Sequence, residues 1–233
     1  MFASRHHDHE PLTATHAVQI ACGTAIIHAD LTIPAGARGI VIFAHGSGSS
    51  RLSPRNRMVA RHLQEAGFGT LLFDLLTGHE ESVDNLTRAL RFDIDFLAAR
   101  LAAATAWLGS QGVAHDLPFG YFGASTGAAA ALVAAARHPG MVTAVVSRGG
   151  RPDLAGPLLR NVTAPTLLLV GGADVAVIEL NQKALAQLGC EGKELAIVPG
   201  ATHLFEEPGT LERVAELASQ WFARYLSPVT HPG

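Results

Sequence analysis

The stretch Phe119-Gly120-Tyr121-Phe122-Gly123-Ala124-Ser125-Thr126-Gly127, running into Ala128 to Ala136, limits what this chain can fold into more than any other. An apolar run enters a turn in which one serine stands between two glycines, and a helix-forming segment begins at once. A serine on so sharp a strand-to-helix turn sits in strained backbone, and the positions two residues away have room for almost no side chain. Gly123 and Gly127 meet that need. The G-x-S-x-G spacing is that of a nucleophile elbow, and Ser125 is the candidate nucleophile. A helix starting at Thr126 turns its N-terminal amides and positive dipole end toward the oxygen that such a serine would attack. The motif alone is a weak signal, so the rest of the chain has to carry it.

Apolar runs bounded by turn residues occur at about 16–21, 25–32, 39–44, 70–75, 119–123, 143–148, 166–170 and 195–198, and they read as eight strands. The first two are joined by Gly23-Thr24 and predict an antiparallel hairpin. The later ones alternate with helical segments and predict parallel pairing. Continuous runs such as Ile40-Val41-Ile42-Phe43 and Leu167-Leu168-Leu169-Val170 suit strands buried on both faces. Ser53 followed by Pro54 is a helix start, with Val59, Leu63 and Ala66 on one face and Gly67 as the stop. A long helix is expected over roughly 86–109, with Leu90, Ile94, Leu97, Leu101 and Leu108 as its buried stripe, and others at about 126–137, 176–188 and 209–226. The fold class is α/β, a mostly parallel sheet with helices on both faces.

The 233 residues are 48% apolar, enough for one domain with a sizeable core, expected over 16–233 after a mobile tail at 1–15. The tail carries His6, His7, Asp8 and His9 without an apolar core, so it reads as solvated chain and not as a signal peptide. A net charge of −3 provides no basic field for nucleic acid or an anionic membrane, and no window is apolar enough to span a bilayer. Two distant cysteines, Cys22 and Cys190, match no metal or redox spacing, which fits a reduced cytoplasmic setting. Oligomeric state is left open.

In a parallel α/β sheet, ligands bind beyond the carboxyl ends of the strands, which selects the loops to inspect. After the third strand comes His45-Gly46-Ser47-Gly48-Ser49-Ser50, whose amides could supply half of an oxyanion hole. The Ser47 amide, or one a position away, would pair with that of Thr126. Arg51 stands where a dinucleotide fingerprint would need its third glycine. His45, first in this loop, reads as a brace for the turn. Asp174 follows the seventh strand after Gly171-Gly172-Ala173, and His203 follows the eighth after Pro199-Gly200-Ala201-Thr202. A serine hydroxyl is a poor nucleophile unless a base takes its proton. His203 can do that while Asp174 orients its ring, with Asp153 after the sixth strand as the competing acid. Arg148 ends the sixth strand on the same sheet edge. It could hold an anionic group of a substrate, or it could be a structural arginine paired with Asp74 or Asp153.

On these residues the chain resembles the α/β-hydrolase superfamily, and within it the small dienelactone hydrolase-like proteins, from about residue 16 to 227. The carriers are His45 to Ser49, Gly123 to Gly127, Gly172-Ala173-Asp174 and Gly200-Ala201-Thr202-His203. The resemblance implies an eight-stranded sheet, acyl-enzyme hydrolysis of a small-molecule ester, no cofactor and no metal. Dienelactone hydrolases proper carry a cysteine in the elbow and a glycine after it. This chain has Ser125 and Ala128, which favours serine esterase chemistry over the cyclic dienelactone. Only residues 149–165 separate the sixth and seventh strands, too few for a lid domain, so an open site for small soluble esters is expected. A non-catalytic binding module and an acyltransferase with the same three residues are the alternatives.

Overall fold

The computed structural model describes residues 14–226. The expected tail therefore lies almost wholly outside the described residues. Its last member, Thr15, joins the domain through a hydrogen bond between its Oγ1 and that of Thr32 at 3.0 Å.

The strands are β1 (His16–Cys22), β2 (Ala25–Thr32), β3 (Ile40–Ala44), β4 (Gly69–Phe73), β5 (Phe119–Ala124), β6 (Ala144–Arg148), β7 (Thr166–Gly171) and β8 (Lys193–Val198). They form one sheet in the order β1-β2-β4-β3-β5-β6-β7-β8. The β1–β2 and β2–β4 pairs are antiparallel, and the rest are parallel. Helices are α1 (Pro54–Glu65), α2 (Gly78–Thr87), α3 (Ile94–Gly109), α4 (Thr126–Arg137), α5 (Val175–Gln187) and α6 (Thr210–Tyr225). None is long and apolar enough to cross a membrane.

Period-two alternation along a continuous apolar strand feeds two cores at once. In β3, Ile40, Ile42 and Ala44 join the core under α3, α4 and α5, while Val41 and Phe43 join the one under α1 and α6. Tyr121 and Phe122 of β5 divide in the same way. Phe43 and Phe122 stack with centroids 4.9 Å apart, and complete burial of each ring is worth about 1.5–3 kcal/mol. Helix α4 can sit in the middle of its layer because seven of its 12 residues are alanine, and every residue from Thr126 to Ala136 is buried.

Of the long helix expected over 86–109, only 94–109 is continuous, as α3; residues 86–87 end the separate helix α2, which starts at Gly78, and a 3₁₀ turn lies between. Thr77 and Glu80 make a reciprocal capping box that starts α2, and Arg88 then takes a left-handed conformation at φ 57°. The buried Asp84 carboxylate accepts the amides of Leu90 and Arg91 at 2.8 and 3.0 Å, fixing a short 3₁₀ turn over Leu90–Phe92. Asp93 starts α3 by accepting the Phe96 amide at 3.0 Å. The apolar stripe is continuous in sequence, yet side-chain acceptors claim the backbone amides that a through-helix would need.

The chain leaves β3 into α1 on one face of the sheet and leaves the neighbouring β5 into α4 on the other. The crevice therefore opens between the carboxyl ends of β3 and β5, where the winding reverses.

Candidate active site

Ser125 stands at that crevice, between β5 and α4, with φ 51° and ψ −120°, a region that side chains other than glycine seldom occupy. Its backbone is held from both sides. Ser125 N–H donates to Arg148 O at 3.3 Å, and Ser125 O accepts the amides of Ala128 and Arg151 at 3.1 and 3.2 Å. The two flanking glycines are obligatory for close packing. A Cβ at Gly123 would meet Ala128 backbone, and one at Gly127 would run into the carbonyl oxygens of Ala44 and His45.

Asp174 occupies the position that begins α5, where an aspartate commonly caps its own helix, yet its side chain makes no such bond. It accepts instead from His203 Nδ1 at 2.7 Å. This fixes the tautomer of a neutral ring and leaves Nε2 free to accept a proton. Nε2 has no partner among the described residues, and the ring shares a cavity of about 260 Å³ with Ser125. Serine-to-base contacts of this kind commonly close only when substrate binds. The competing acid, Asp153, is engaged elsewhere, accepting from Arg151 Nε and Nη2 at 2.9 and 2.8 Å. The sequence reading overlooked Glu207, which accepts the Thr202 amide at 3.0 Å and steadies the turn that carries His203.

The β3 loop reaches the elbow through Ser47, whose Oγ lies 3.0 Å from Thr126 Oγ1. Thr126 is the first residue of α4, so its N–H has no intrahelical acceptor. Ser47 N–H is also free among the described residues. Both amides are thus unspent, on two residues whose side-chain hydroxyls meet. His45 is buried, and both of its ring nitrogens are engaged. Its Nδ1–H donates to Gly46 O at 3.0 Å and its Nε2 accepts the Leu75 amide at 3.0 Å, which ties the β3 loop to the end of β4. Burial lowers its pKa, which favours the neutral ring.

Arg148 lies in the wall of the Ser125 cavity, but neither of the acids considered for it is its partner. Asp74 is taken by Arg51, and Asp153 by Arg151. Arg148 Nη2 donates to Asn56 Oδ1 at 3.3 Å, a residue the sequence reading did not single out because it lies 92 positions away. A second cavity, about 350 Å³, reaches Ser47 and Thr126 from the α2 side, with Leu52, Leu75, Leu76 and Leu97 in its lining.

Comparison with known proteins adds a lineage to this geometry. The chain is 59% identical over 218 residues to proteins from two strains of Mycobacterium tuberculosis that carry a provisional phosphoribosyl transferase name. The match takes in 93% of this chain and 48% of theirs, so the chain spans about half the length of the curated relatives it matches. A solved dienelactone hydrolase from Anabaena variabilis is 58% identical, covering 92% of this chain and 99% of its own, with a TM-score of 0.89. A lidless α/β serine hydrolase from Xanthomonas campestris, 22% identical, shares the fold at a TM-score of 0.74 over 96% of this chain and all (100%) of its own. With the dienelactone hydrolase family profile matching residues 27–228, the chain belongs to that family and has its α/β-hydrolase fold.

Proposed function

We propose that the chain is a serine hydrolase of small carboxylic esters or lactones that works through an acyl-enzyme on Ser125. The observation that carries this reading is the Asp174 carboxylate, which forgoes its own helix amides to hold His203 in the cavity that contains Ser125. His203 Nε2 takes the hydroxyl proton as Ser125 Oγ bonds to the carbonyl carbon, and the amides of Ser47 and Thr126 receive the oxyanion. Collapse breaks the bond to the alcohol oxygen, which leaves with the proton from His203. Water then gives a proton to His203 as it attacks the acyl carbon, and loss of the acid returns Ser125 to its free hydroxyl. Only the 3₁₀ turns of Pro152–Asn161 lie between β6 and β7, so small soluble esters have open access. The transferase name belongs to relatives more than half of whose length is outside the match, and it assigns no chemistry to this portion.

A fluorophosphonate probe tests the reading, combined with turnover of phenyl and nitrophenyl esters. Wild type is expected to label once and to hydrolyse short esters. Ser125→Ala should abolish both, and Asp174→Asn should lower kcat by on the order of 10⁴ while Asp153→Asn does not. A chain that neither labels nor turns over esters is a binding module. Ester consumption that yields a new ester when an alcohol is added would make it an acyltransferase.

A further inference from the structure

Arg148 is 8% exposed, and among the described residues its Nε has no hydrogen-bond partner and its one side-chain bond is to the neutral Asn56. Arg55, in the first turn of α1, lines the same cavity, and its Nε is likewise buried without a partner. Its Nη1 reaches Glu206 at 3.0 Å, a carboxylate whose side chain is 63% exposed and lies outside the cavity lining. Among the described residues, no acidic one lines that cavity. Burial, and then the Arg55 charge, push the Arg148 pKa down to about 10. A buried guanidinium without a counter-charge, beside a second cation, is unfavourable for the protein alone, and such sites are characteristic of bound anions.

We propose that Arg148 and Arg55 form a subsite for an anionic group, a carboxylate or a phosphate, on the alcohol half of the ester that Ser125 cleaves. This rests on the hydrolase reading above for what is cleaved, but not for the binding of the anion. The half is assigned by the proton. The leaving oxygen takes its proton from His203, so the alcohol occupies the cavity that holds His203, and that cavity also holds both arginines. The acyl chain then turns past Ser47 and Thr126 into the larger cavity, which lacks His203 and whose arginines, Arg51 and Arg91, are already paired with Asp74 and Asp84. Two guanidinium forks with free N–H groups suit a planar or tetrahedral oxyanion.

The test has a binding arm and a turnover arm. In Ser125→Ala protein, calorimetry with 4-hydroxybenzoate and 4-hydroxyphenyl phosphate should detect binding that Arg148→Gln weakens by about 10- to 100-fold. Arg55→Gln, at a more accessible position, should weaken it by a smaller factor and serves if Arg148→Gln fails to fold. In turnover, kcat/KM for 4-acetoxybenzoate and 4-acetoxyphenyl phosphate, each divided by that for phenyl acetate, should fall by a similar factor in the arginine variants, through KM. The larger of the two wild-type ratios tells carboxylate from phosphate. The ratio for phenyl hemisuccinate, charged on the acyl side, should not follow them. Equal losses for neutral and anionic esters, or discrimination confined to the hemisuccinate, would overturn the proposal. Arginine-dependent binding without hydrolysis of any ester would instead overturn the hydrolase reading and leave the anion subsite standing.

Discussion

Ser125 is held where few side chains go. Its positive φ costs about 1–3 kcal/mol, offset by the packed strand and helix on either side of it. Glycine has no such penalty, although it brings about 0.5–1 kcal/mol of extra unfolded-state entropy. Ser125→Gly should therefore be inactive yet melt higher than Ser125→Ala, by about 2–4 °C for each kcal/mol in a chain of this size. Calorimetric melting of the two variants checks this. A Ser125→Gly variant that melts below Ser125→Ala would mean that the elbow is unstrained.

At the scale of elements, the break between α2 and α3 makes a prediction of definite sign. If Asp93 lay inside one continuous helix, Asp93→Ala would stabilise the protein, since alanine is the better helix former by up to about 0.7 kcal/mol. As the cap that accepts the Phe96 amide, Asp93 should instead be worth about 1 kcal/mol, so the substitution should destabilise. Denaturant unfolding of wild type and variant distinguishes the two. Apolar spacing suggested one helix because Leu90 and Ile94 extend the stripe of α3, and both turn out to be only partly buried. The signals of a break were present at Thr77, Glu80 and Asp93, but the acceptor role of Asp84 depends on the chain folding back toward it.

For the molecule as a whole, His45 links protonation to folding. Its folded pKa lies below the ordinary histidine value of about 6.5 because it is buried, so below that value the unfolded chain binds a proton that the folded protein refuses. Unfolding then takes up protons, and stability, complete above the unfolded value, declines as the pH falls from it toward the folded one. Wild type should thus lose more melting temperature between about pH 7 and pH 5 than His45→Gln, which keeps an acceptor for Leu75 but does not titrate there. Parallel pH profiles would show that His45 is not the group responsible.

The sequence by itself determined the sheet and the elbow, because both are written in short-range terms. Doubly buried strands need continuous apolar runs, and a strained serine turn needs glycine at positions 123 and 127. It also brought Asp174 and His203 to the correct edge, since strand ends in a parallel sheet all point one way. Which acid meets the histidine was decided only in three dimensions. Asp153 and Asp174 both follow strands, but β7 and β8 are neighbours, and Arg151 claims Asp153 from two residues away. The same is true of Arg148. Sequence placed it at the site and offered it two acids, but the fold brought the first turn of α1 to it, giving it Asn56 and the company of Arg55. Periodicity and turn chemistry act within a few residues, whereas the pairing of charges depends on which loops the strand order brings together.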